Sequence, residues 1–263
     1  MTMQATRETR SPLLLPLAVA AVGLALLLEN FLLLGGFRVS TLLPLLLVGA
    51  GAWLLIRGDL GTRSARSFGI TRGSVESALL EISAGAADVI LGGGSREERL
   101  IEGQFARASR PDLQVDGVHA HLKFNRSRTP WFSFADWQMR LASDLPWHVL
   151  ATTSLGQVNA DLGGLIVEGA TIATGLGDIR FVCPAEAFSA LALRSAAGDI
   201  HVVVPPGQAA RVHVTASRAF GVRVDETRYQ QVAPGLYESV RPDPASTMVE
   251  IHVRGTFGDA YLG

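Results

Sequence analysis

The chain carries little charge and almost no cysteine. Asp, Glu, Lys and Arg make up 18% of its 263 residues, aromatic residues make up 7%, and Cys183 is the sole cysteine. One thiol closes no internal disulfide, so no cystine framework holds this fold, and the count suits a reducing compartment. There is no basic excess either. The formal net charge of -1 argues against a general nucleic-acid binder. No P-loop, nucleophile elbow or dinucleotide fingerprint occurs. After Ile56 no run has a helical period of 3.6, so the remainder reads as all-β.

Apolar residues (48%) and glycine (28 residues) are plentiful. The mean hydropathy of +0.28 is high because the apolar residues are concentrated near the start. From Leu13 to Leu34 only Glu29 and Asn30 are strongly polar. As a helix that run is about 33 Å long, enough for a hydrocarbon core of ~30 Å. A second run, Thr41 to Ile56, reaches spanning length over 38–56 if Arg38 snorkels to the interface. Residues 1–56 therefore read as a transmembrane α-hairpin with spans 13–34 and 38–56. A cleaved signal sequence fits the first run less well: it is longer than a signal core, and no small-residue cleavage site follows it. Arg7 and Arg10 precede the first span, Arg57, Arg63, Arg66 and Arg72 follow the second, and only Arg38 lies between. The positive-inside rule then puts both termini and everything after Ile56 in the cytoplasm. Residues 57–74, rich in Arg, Gly, Ser and Thr, read as a basic linker suited to anionic headgroups of the lipid bilayer.

The domain expected over 75–263 is organised by a repeat. Gly156, Gly177 and Gly198 recur at intervals of 21 residues, and Thr153, Thr174 and Ser195 keep the same register. Positions equivalent to Val149, Ala151, Val158, Ala160 and Leu162 are apolar in all three copies and alternate, so they point inward. Two short alternating runs around a glycine, repeated near 20 residues, mark a single-stranded β-solenoid with coils of ~21 residues. The glycine allows a bend where a Cβ would be costly. The inward hydroxyls are expected to bond one another or turn amides, since an unpartnered buried hydroxyl costs ~1–3 kcal/mol. Divergent copies occur at Gly85–Gly92, at Val212–Val224 (with Gly221 as its glycine) and at Phe257–Leu262.

The hairpin, with Glu29-Asn30 near the end of its first span and Pro44-Leu-Leu-Leu-Val-Gly49 in its second, resembles the membrane region of LiaF-like proteins. The phrases Gly175–Ile179 and Ala197–Ile200 resemble the "toastrack" domain of that family and of related candidate adhesins. Trp137-Gln-Met-Arg-Leu and Leu145-Pro-Trp-His-Val149, leading into Gly156, resemble the family's run-up to its first regular coil. The resemblance implies a bacterial inner-membrane protein of the envelope stress response, which restrains a membrane sensor kinase of a two-component system. It brings no catalytic residues, metal or cofactor.

The remaining candidates are weighed residue by residue. His119 and His121 share one strand face, but no third ligand lies at useful spacing, so they read as solvated. The same applies to His201, His213 and His252. Asp178, Asp199 and Asp259 follow bend glycines and read as carboxylates accepting backbone amides. Trp131, Phe132 and Phe134 either cap one end of the solenoid or form an exposed anchor for membrane or partner. Glu29 reads as an interfacial residue or a contact to a partner helix. The expected protein is a non-catalytic, membrane-anchored regulator, with a homo-oligomeric scaffold as the alternative. An adhesin or glycan-binding module would require reversed topology.

Overall fold

A computed structural model describes residues 65–96, 98–106, 112–125, 137–240 and 247–263. Both apolar runs, Glu29, and the aromatic group Trp131, Phe132 and Phe134 lie outside the described residues. Among the described residues there is no helix, and every element is a strand.

The chain enters at β1 (Ala65–Thr71), then makes β2 (Ser77–Ser83) and β3 (Val89–Gly93). Next come β4 (Arg99–Ala106), β5 (Asp112–Asp116), β6 (His119–Asn125) and β7 (Trp137–Leu141). β8 (Pro146–Leu155) with β9 (Val158–Asp161), and β10 (Ile166–Leu176) with β11 (Ile179–Val182), are two-strand rungs broken at a glycine. After the short β12 (Glu186–Ala187) comes a third such rung, β13 (Leu191–Ala197) with β14 (Ile200–Val203). The chain closes with β15 (Ala209–Val224), β16 (Tyr229–Ala233), β17 (Leu236–Ser239) and β18 (Met248–Leu262).

The rungs stack in parallel and in register. Ile82 stands beside Ala151, Ala151 beside Ile172 and Ile172 beside Leu193; Val89, Val158, Ile179 and Ile200 do the same across the bend. Strict alternation sends these rows inward, where they are 0–1% exposed. First strands build one wall, second strands the other, and their inner rows share a single core.

Stacking order departs from chain order at both ends. β6 and β7 lie outside β2 and β3, although they come later in the chain. At the far end β18 pairs with β13 and β14 on one side and with β15 on the other. The last strand is thus an interior rung. The stack ends in antiparallel pairs: β5 on β6, β4 on β7 and β1 on β4 at one end, β17 on β15 and β16 on β17 at the other. Such additions terminate a parallel stack where a bare edge would invite further strands.

Two expectations change. Residues 65–71, read as linker, form β1, because their alternation pairs with β4 from Ala65↔Ala106 onward. Gly221 is not a bend glycine. A bulge between Ala216 and Ala219 places Phe220 opposite Gly258 and Gly221 opposite Asp259.

Aromatic residues fill the core near the β1 end. Phe124 lies between Phe68 and Trp137, with ring centroids at 5.4 and 6.1 Å. Trp147, fully buried, donates its indole N–H to the Ala142 carbonyl at 2.7 Å. Buried aromatics carry a large apolar area, and truncating one to alanine costs roughly 3–5 kcal/mol.

Candidate functional site

The bend between the walls is the most regular feature of the surface. Gly156, Gly177, Gly198 and Gly258 have φ of 136°, 143°, 138° and 117°. These values are outside the range L side chains ordinarily adopt. A Cβ on Gly177 would lie 2.1 Å from the Gly156 carbonyl oxygen, and one on Gly198 2.1 Å from that of Gly177. Ala87 takes the glycine position in the β2–β3 rung.

Thr153, Thr174 and Ser195 line the inside of this bend, 4–5% exposed. They bond neither one another nor turn amides. Each donates to a carbonyl of the preceding rung: Thr153 to Ala87 at 3.1 Å, Thr174 to Gly156 at 3.1 Å, Ser195 to Gly177 at 3.4 Å. Outside the bend, carboxylates accept amides of the following rung. Asp88 Oδ1 takes the N–H of Gln157 at 2.7 Å, Asp178 that of Asp199 at 2.8 Å, and Asp199 that of Asp259 at 2.9 Å. Just before each glycine, Leu155, Leu176 and Phe257 are 47%, 54% and 58% exposed and form an apolar corner row with Ala197.

The outer wall faces carry ordered charge. On the first-strand wall, Glu81 joins Lys123 at 2.8 Å and His121 at 3.3 Å. Hydrogen bonds from Lys123 and then His121 hold its carboxyl below the usual value. His119 Nδ1 lies 2.5 Å from the Ser77 hydroxyl. Ser77, His119 and His121 border an open concavity of about 770 Å³ with His148 and Glu168. Among the described residues no three His, Cys, Asp or Glu side chains are placed to hold a metal ion. Further along this wall, His213 and His252 stack with centroids at 4.9 Å, and both Nε2 atoms lie 3.3 Å from Glu250 Oε1. On the second-strand wall, His201 stacks on Tyr261 at 4.5 Å, and Arg223 covers Tyr261 while pairing with Asp259 at 3.3 Å.

No family model matches the chain, and no curated protein sequence matches it at a significant level. Among solved structures, the chain resembles a candidate cell adhesion protein from Clostridium sporogenes. The two share 14% identity and a TM-score of 0.61, over 75% of this chain and 97% of that one. The likeness is one of fold. A candidate adhesin from Bacteroides fragilis aligns over 75% of this chain and 96% of its own, with 10% identity and a TM-score of 0.30.

The sequence pattern separates inward from outward rows but leaves the outer neighbours hidden. His213 and His252 are 39 positions apart, outside the 21-residue register, and meet only because β18 inserts beside β15. The corner row was visible in principle, since a leucine, alanine or phenylalanine precedes each bend glycine.

Proposed function

We propose that this chain is a membrane-tethered, non-catalytic docking protein whose β-solenoid presents rigid outer walls to a protein partner. The apolar runs at 13–34 and 38–56 serve as the tether. The partner is a membrane sensor kinase of the envelope stress response, as the resemblance to LiaF-like proteins suggests. The observation that carries this reading is the stacked domain itself. Its interior is an apolar core, its ends carry antiparallel strands, and its walls hold side chains at fixed spacing. A wall of that kind suits recognition of a surface.

The antiparallel strands at the ends weigh against a scaffold that grows by end-to-end stacking. The adhesin reading draws on the Clostridium fold likeness and requires the domain to lie outside the cell. Paired phosphatase and fluorescent-protein fusions at Gly263 separate the two. Fluorescence without phosphatase activity is expected. Phosphatase activity without fluorescence would overturn the regulator reading and put the adhesin reading in its place.

A further inference from the structure

Arg194 on β13 and Arg254 on β18 stand directly opposite each other and point outward from the first-strand wall. Like charges in directly opposed positions of a sheet repel. Among the described residues neither guanidinium has an ion pair or hydrogen bond. Their neighbours in the same row are Ala173 on β10 and Thr215 on β15, neither of which supplies a countercharge. Strands lie ~4.8 Å apart, so the two planar forks can close on one tetrahedral anion from adjacent strands. We propose that this wall binds an oxyanion of the phosphate or sulfate type between Arg194 and Arg254.

One row away, His252 follows β18's alternation and His213 stands beside it on β15. Both rings lie 3.3 Å from Glu250, which stands two rows from Arg254 on the same strand face. Arg211 and Glu238, on β15 and β17, pair with each other at 2.6 Å and contribute no net charge. Thr171 and Ala192 complete the histidine row toward β10. The anion can be a lipid headgroup phosphate or a free polyanion.

The test uses the purified full chain in neutral detergent, with labelled sulfate as the probe. Equilibrium dialysis is expected to show saturable binding. Arg194→Gln and Arg254→Gln each weaken it about tenfold, whereas Arg180→Gln, the same charge removed from the opposite wall, leaves it unchanged. Displacement of sulfate by phosphatidylglycerol in the micelle identifies a headgroup ligand; displacement by inorganic polyphosphate identifies a free polyanion. Absent binding, equal loss in all three arginine variants, or displacement by neither competitor overturns the proposal.

Discussion

Thr174 donates its hydroxyl to the carbonyl of Gly156, one rung away, at 3.1 Å. The bend needs this bond. Its glycine leaves the sheet's regular geometry, and a carbonyl turned toward the core there has no strand partner of its own. Thr153 and Ser195 do the same for Ala87 and Gly177. The inward hydroxyl row and the bend glycine row are thus one device.

Replacing Thr174 by valine keeps shape and volume but removes the donor. The expected loss is about 1–2 kcal/mol, the cost of leaving a buried carbonyl unpaired. Thr174→Ser keeps the hydroxyl and should fall within about 0.5–1 kcal/mol of wild type, the cost of one methyl. Urea unfolding midpoints at constant m-value compare the two. Equal losses for valine and serine would show that packing, not the hydrogen bond, sets the row.

Gly177→Ala should be more damaging. The new Cβ meets a backbone oxygen at 2.1 Å, and φ of 143° is costly for alanine, so a loss of about 3 kcal/mol or more is expected. Gly92 has open space and no positive φ, so Gly92→Ala should be neutral or stabilise by about 0.5 kcal/mol. A Gly177→Ala variant that melts with wild type would show that the bend can relax.

These residues also show what the sequence makes legible. Period and alternation disclose the rungs from Val149 to Val204 because the same inward set recurs at a constant interval. Alternation alone does not say which rung neighbours which. Val212–Val224 and Val249–Leu262 are both alternating runs, and adding either to β13 satisfies local pattern. Only packing of their inner rows decides, so the insertion of β18 and the contacts it makes, His213 with His252 and Arg194 with Arg254, stay hidden. Gly221 misleads for a related reason: a bulge of one residue shifts the register, and a glycine near the right place takes the neighbouring position. β1 was hidden by its Arg, Gly and Ser content, which suits a loop as well as an exposed edge strand.

Tyr229 is 3% exposed, and among the described residues its hydroxyl has no hydrogen-bond partner. Tyr229→Phe removes an unpaired buried polar group at almost constant volume. It should stabilise the domain by about 1 kcal/mol, read as a raised urea midpoint. A loss of stability would show that the hydroxyl is satisfied, by ordered water for example.

Alkaline stability follows from Cys183. Burial pushes its thiol from 9.0 up to about 12, favouring the protonated form in the folded state. A folded value above the unfolded one means that this contribution is complete below pH 9 and is lost as pH rises from 9 to about 12. The Tyr229 phenol is raised by burial and acts in the same direction at higher pH. Cys183→Ala should flatten the first part of this alkaline decline, while the native thiol resists alkylation at pH 8 until urea unfolds the chain. Rapid alkylation of the folded protein would contradict the burial on which both statements rest.

The placement of β18 makes residues 248–262 essential to folding. In an ordinary solenoid, removing the last coil shortens the stack and leaves the rest intact, because each rung depends only on its neighbours. Here the last coil is interior: Val249, Ile251, Val253, Ala260 and Leu262 are 0–2% exposed between β13–β14 and β15. Ending the chain at Thr247 would leave β15, β16 and β17 with no rung to stand on and open an edge on β13 and β14. Such a chain should lose its cooperative urea transition and become sensitive to protease at sites between Ala209 and Ser239. Ile251→Ala, a milder cut in the same rung, should cost about 2–5 kcal/mol and keep the transition two-state. A truncated chain that retained protease resistance from Ser77 to Val203 would show that the rungs up to β14 fold independently of the inserted strand.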